Sequence, residues 1–100
     1  MRSALVVIPT YNEAQSIGEL LTSLKPLDCD VLVIDDGSPD GTAQKVEELQ
    51  NEFEGKLFIE KRSGKLGLGT AYIHGFKWAL AKNYTYIFEM DCDFLIIQMI

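Results

Sequence analysis

Histidine occurs once, at His74, so the residue most used for general acid–base catalysis cannot form a dyad here. Cysteine is nearly as scarce. Cys29 and Cys92 stand far apart without metal-ligand spacing, which reads as two free thiols of a reducing compartment and not as a zinc site. Positive charge is also in short supply, with 9 Lys and Arg against 15 Asp and Glu and a formal net charge of −6. That balance argues against nucleic acid as a partner. It also means that a phosphate ligand would need backbone N–H groups, a metal ion or local Lys and Arg to offset the repulsion. No apolar run is long enough to span a bilayer. The short run between Arg2 and Pro9 lacks the pattern of a signal peptide. These two absences suggest a soluble or peripheral protein on the cytosolic side. There is no internal repeat and no low-complexity segment.

What is present is a regular alternation. With 47% hydrophobic residues in 100, the chain is expected to form one globular domain. Ala4-Leu5-Val6-Val7-Ile8 is apolar without alternation, as in a strand buried on both faces of a parallel sheet. Pro9 is expected to end it. Asn12, with Gln15 three residues on, predicts an N-cap and capping box for a helix whose inner face is Ile17, Leu20, Leu21 and Leu24. Pro26 stops that helix. Val31-Leu32-Val33-Ile34 predicts a second buried strand, and Ser38-Pro39-Asp40-Gly41 a turn. Asp40 can cap a helix carrying Ala43, Val46, Leu49 and Phe53, closed by Gly55. Leu57-Phe58-Ile59, flanked by charge, reads as an edge strand. A basic, glycine-rich loop over residues 62–70 opens a third helix to about Ala81, with Tyr72, Phe76, Ala79 and Leu80 facing inward. His74 and Trp78 on that helix read as packing or surface residues. Tyr86-Ile87-Phe88-Glu89-Met90 is the fourth strand, ending in Asp91-Cys92-Asp93. The fold class is therefore α/β, a parallel sheet of alternating β-α units with right-handed crossovers and strand order 3-2-1-4.

Ligands of such sheets bind outside the carboxyl ends of the strands. Four polar segments converge there: Pro9-Thr10-Tyr11-Asn12-Glu13, Asp35-Asp36-Gly37-Ser38, the loop over 65–70, and Asp91-Cys92-Asp93. Asp36 could accept hydrogen bonds from a base or ribose, or else Asp35 or Asp36 could simply cap the turn. Tyr11 could lie against a base or cover the sheet edge. Glu13 could bind ligand or serve the first helical turn. The glycine loop could be a plain connector. It is not the dinucleotide fingerprint, since Gly64, Gly67 and Gly69 do not follow the first strand, and it is not a P-loop. Asp91 and Asp93, at i and i+2 of an extended chain, point the same way and suit a hard divalent cation shared with a diphosphate.

The segments VVIPTYNEAQSI, VLVIDDGSPDGTA, GKLGLGTAYIHGFKWAL and YIFEMDCDF together resemble the N-terminal, nucleotide-binding half of polyprenol-phosphate (dolichol-phosphate) mannose synthases. These are inverting family-two glycosyltransferases with the GT-A (nucleotide-diphospho-sugar transferase) fold. The third segment is the most specific, and the likeness runs from about Leu5 to Phe94. It implies GDP-mannose as donor and a polyprenyl phosphate as acceptor. It also implies a nucleotide-sugar pocket lined by Pro9, Tyr11, Glu13, Ile34, Asp36, Asp91, Cys92 and Asp93. Asp91 and Asp93 would be the catalytic pair holding Mg²⁺ or Mn²⁺, with Cys92 standing where that family has Ala. An acceptor phosphate oxygen is already anionic, so the missing histidine dyad is no obstacle.

After Phe94 the sequence departs from that family. Residues 1–94 are expected to form the nucleotide-sugar half of the domain. Residues 95–100 are expected to be an apolar tail marking a truncation or fragment, inactive in transfer by itself. In the whole family the later, C-terminal parts would supply acceptor binding and peripheral membrane contact at the cytoplasmic side or the cytosolic face of the endoplasmic reticulum. Three other readings compete: a family-two transferase using a UDP-sugar, a non-catalytic nucleotide-binding fragment, and a receiver-like signalling domain.

Overall fold

Leu5, Val6, Val7 and Ile8 are all buried, from both faces of one sheet, which is why their strand shows no polar alternation. The protein is seen here as a computed structural model that describes residues 3–63, 68–92 and 97–99. Strand β1 (Ala4–Thr10) leads to helix α1 (Ala14–Leu24), β2 (Asp30–Asp35), α2 (Thr42–Leu49) and a 3₁₀ turn at Gln50–Phe53. Then follow β3 (Leu57–Lys61), α3 (Leu68–Ala81), β4 (Tyr86–Met90) and β5 (Ile97–Met99). The strand order is β3-β2-β1-β4-β5. The first four strands are parallel, in the order expected. β5 was not expected as a strand. It pairs antiparallel with β4, Glu89 opposite Gln98, so part of the apolar tail covers the β4 edge that a four-stranded sheet would leave open.

Side chains alternate cleanly between two cores. Val6, Ile8, Val31, Val33, Leu57 and Met90 pack under α1 and α2, while Leu5, Val7, Leu32, Ile34 and Ile87 pack under α3. Ile17, Leu20, Leu21 and Leu24 of α1 are all buried, as the sequence spacing predicts. Each contributes about 1.5–3 kcal/mol relative to an exposed position.

Three expectations need correction. Pro9 does not end β1, which runs on to Thr10. The Thr10 carbonyl accepts the Asp36 N–H at 3.1 Å, so residue 10 faces β2. Pro9, one step back, faces the β4 side, where pairing has already stopped at Val7 opposite Glu89. Its missing N–H therefore costs no ladder bond. Asn12 is not the cap of α1. It takes a left-handed conformation (φ 56°), and the capping position falls to Glu13 without a side-chain cap bond. Leu80 does not face inward and is 54% exposed. The buried face of α3 is instead built on Ala71, Gly75 and Ala79.

Trp78 packs as the sequence suggests, with its ring centroid 5.1 Å from Phe58 and 6.2 Å from Tyr84. His74 Nε2 lies 3.1 Å from Glu60 at the surface.

Candidate functional site

The loops after β1 and β2 are bonded into one unit. Asp35, fully buried, accepts the Thr10 hydroxyl at 2.7 Å, the Ser38 N–H at 3.0 Å and the Ser38 hydroxyl at 2.7 Å. Asp35 is thus the carboxylate that serves the turn. The Ser38 oxygen in turn accepts the Asn12 N–H at 2.9 Å. The Glu13 N–H donates to the Thr42 hydroxyl oxygen at 3.0 Å, and the Ala14 N–H to Asp40 Oδ2 at 3.1 Å. The amides of Asn12, Glu13 and Ala14, leading into α1, are therefore satisfied by side chains of the β2–α2 loop and of Thr42 at the start of α2.

That arrangement places a carboxylate at the start of α1. A helix N-terminus is a ready anion site, but at α1 the Asp40 carboxylate already accepts the Ala14 N–H and puts a negative charge beside it. Asp40 also accepts the Thr42 N–H at 3.1 Å, just ahead of the helix it was expected to cap, while Gly41 takes the capping position at φ 91°. The Thr42 hydroxyl, and then the amides of Ala14 and Thr42, hold the Asp40 carboxyl below its ordinary pKa.

Asp36, the next residue, is gripped from the other side. Arg62, just past β3, donates from Nε to Oδ1 at 2.6 Å and from Nη2 to Oδ2 at 2.9 Å. The two side chains are 10% and 8% exposed. Nη2 also reaches the Thr70 hydroxyl in the first turn of α3, at 3.3 Å. One guanidinium thus ties the ends of β2 and β3 to the start of α3.

At the end of β4, alternation puts Ile87, Glu89 and Asp91 on the α3 side and Phe88, Met90 and Cys92 on the α1 side. Tyr72 of α3 records this. Its phenol is pushed up to about 12, first by burial and then by the charges of Glu89 and Asp91. Cys92 is buried, with its sulfur 3.5 Å from the Ser16 hydroxyl of α1. Asp93 lies outside the described residues.

The chain matches Glycosyl transferase family 2 over residues 5–98. It belongs to that family. It is 40% identical over 91 residues to a polyprenol monophosphomannose synthase of Mycolicibacterium smegmatis, covering 89% of this chain and 34% of that protein. A mannosyltransferase from Pyrobaculum calidifontis, solved in complex with GDP-Man and Mn²⁺, superposes with a TM-score of 0.82 at 26% identity, over 93% of this chain and 28% of that one. S. aureus TarS 1-349 in complex with UDP-GlcNAc gives a TM-score of 0.78 at 31% identity, over 91% and 26%. The family-2 chain thus spans about a third of the length of the curated relative. The sheet of alternating β-α units is that of the N-terminal part of a GT-A fold.

Within this family-2 half, Pro9, Tyr11, Glu13, Asp36 and Asp91 follow or end the strands at one rim. Ile34 is different. Its side chain is fully buried under α3, so anything it offers the rim comes from its backbone. The Cys92 side chain turns to the face opposite Asp91. The glycines and lysine of residues 64–67 lie outside the described residues.

Three participants escaped the sequence reading. Arg62 was legible only as one charge in a basic loop. Glu89 shares the face of Asp91 and was findable from the i, i+2 alternation. Tyr72 was read as a core residue, yet its phenol feels the charge of both carboxylates. Among the described residues no cluster of three or more His, Cys, Asp or Glu could cage a metal. A cation shared with a diphosphate does not require one, since one or two carboxylates plus phosphate oxygens suffice. The hard oxygen donors of Asp91 and Glu89 fit such an ion.

Proposed function

We propose that the chain is the nucleotide-sugar-binding half, over residues 1–94, of a transferase that moves mannose from GDP-mannose to a polyprenyl phosphate with inversion. The observation that carries the reading is the division of labour at the rim. The start of α1 already carries the Asp40 carboxylate on the Ala14 N–H, while β4 brings Asp91, on the face of Glu89 and within electrostatic reach of Tyr72, to the same rim as Asp36. A diphosphate approaching this edge of a chain at −6 needs a cation to offset the repulsion. Asp91, with Asp93, would hold Mg²⁺ or Mn²⁺ there. When bound, the ion supplies Lewis-acid stabilisation of the departing diphosphate.

The other residues act on the nucleoside. Asp36 accepts hydrogen bonds from base or ribose, and Tyr11 and Glu13 border the same pocket beside Pro9. The attacking phosphate oxygen is anionic at neutral pH, so no residue has to remove a proton from it. The likeness to the M. smegmatis synthase and to the P. calidifontis mannosyltransferase supports mannose and a lipid phosphate acceptor. Such an acceptor resides in a membrane, which favours work at the cytoplasmic face. Among the described residues no helix is long and apolar enough to cross a bilayer.

A UDP-sugar is the second reading, favoured by the superposition on TarS with UDP-GlcNAc. Calorimetric titration of the chain with GDP-mannose and with UDP-GlcNAc, each with Mn²⁺, separates the two. Tighter binding of GDP-mannose is expected. Preference for UDP-GlcNAc would replace the mannose reading with the second one.

A further inference from the structure

The Asp36–Arg62 pair is built more firmly than a turn at the end of an edge strand requires. Both side chains are almost entirely withdrawn from water, and the contact is two-pronged, at 2.6 and 2.9 Å. A two-point fork fixes the plane of a carboxylate, where a single bond leaves it free to rotate. The Arg62 N–H bonds to the Asp35 carbonyl at 2.8 Å, so its backbone is anchored to β2 as well. The Nη2 of the fork also donates to the Thr70 hydroxyl, which ties the guanidinium to α3.

We propose that Arg62 is the positioning residue for nucleoside recognition. It holds the Asp36 carboxylate in one orientation, so that a base N–H or ribose hydroxyl meets a fixed acceptor, and it does so through the fork and not through charge alone. This rests on the reading of Asp36 given above. It adds that the specificity of that carboxylate is set from β3 and α3, by a residue that need not touch the ligand. Lysine at this position would keep the charge but lose the fork.

The test is titration of the full chain with GDP and with GMP, both with Mn²⁺, for wild type, Asp36→Ala, Arg62→Gln, Arg62→Lys and Asp36→Ala/Arg62→Gln. Circular dichroism confirms the fold of each, and Arg62→Lys decides if Arg62→Gln does not fold. Arg62→Gln and Arg62→Lys should each lose about tenfold in affinity, the size of one charge-assisted hydrogen bond. The loss should be equal for GDP and GMP, and the double variant should bind no more weakly than Asp36→Ala. If Asp36→Ala binds like wild type, the reading of Asp36 itself falls. If Asp36→Ala is weak but either Arg62 variant keeps wild-type affinity, the positioning role falls while that reading stands. A larger loss for GDP than for GMP would mean that Arg62 touches phosphate directly, and would also overturn the proposal.

Discussion

Gly75 crosses β1 at Val7 so closely that a Cβ on residue 75 would sit 2.5 Å from Val7 Cγ1 and 3.1 Å from Cγ2. Ile34 Cδ1 would lie 3.2 Å away. Both neighbours are fully buried and branched at Cβ, with little rotamer freedom. Gly75→Ala should therefore destabilise the protein although alanine is the better helix former. Overpacking of this kind costs about 1–3 kcal/mol, and in a domain of this size 1 kcal/mol lowers Tm by roughly 4–8 °C. Thermal denaturation checks it. An unchanged or higher Tm would mean that α3 can lift from the sheet at no cost.

Leu80 tests the opposite side of the same helix. It is more than half exposed, so Leu80→Gln removes little buried surface. Its effect should stay within about 0.5 kcal/mol, as for other surface positions. Ala79→Gln, one residue away at a fully buried site, should be strongly destabilising. Chemical denaturation of the two variants side by side should give well-separated midpoints, and equal midpoints would restore Leu80 to the inner face.

Asp40 gives the stability a pH dependence of definite sign. Its carboxyl is held below the ordinary value in the folded chain, first by the Thr42 hydroxyl and then by backbone amides. The stabilisation is therefore fully present above the unfolded-state pKa of about 3.9 and is lost as pH falls through the lower folded-state value. Asp40→Asn keeps one acceptor oxygen where three bonds from Thr42 and Ala14 now use two. The variant should be less stable than wild type at pH 6, and the two denaturation curves should converge as pH drops below about 3.9. A constant difference from pH 6 down to pH 3 would contradict this account of the carboxylate.

How much of this was readable beforehand depends on where each residue's partner lies. Sheet order was legible, because unpatterned apolar strands alternating with helices leave few topologies open. Ile17, Leu20, Leu21 and Leu24 were legible for the same local reason. The α1 cap was not. Its acceptors, Ser38, Asp40 and Thr42, stand 26 to 29 residues away in sequence, while Asn12 offered a satisfying local pattern. Arg62 was opaque likewise, its partner being 26 residues earlier. Leu80 misled because periodicity favours large apolar residues, whereas α3 lies so close over Val7 that only Ala71, Gly75 and Ala79 fit beneath it. At the site, Asp36 and Asp91 stand out in sequence, but the companions that fix their surroundings do not.

Under the proposed function, Asp91 helps hold a cation on which binding of the donor diphosphate depends. The direct measurement is calorimetric titration of GDP-mannose into the chain with Mn²⁺, with a chelator, and with Mn²⁺ into Asp91→Ala. Saturable binding is predicted only in the first case, with a loss of at least about tenfold in the other two, the scale of a lost charge-assisted contact. GDP-mannose binding of equal strength under chelator, or in Asp91→Ala, would contradict it.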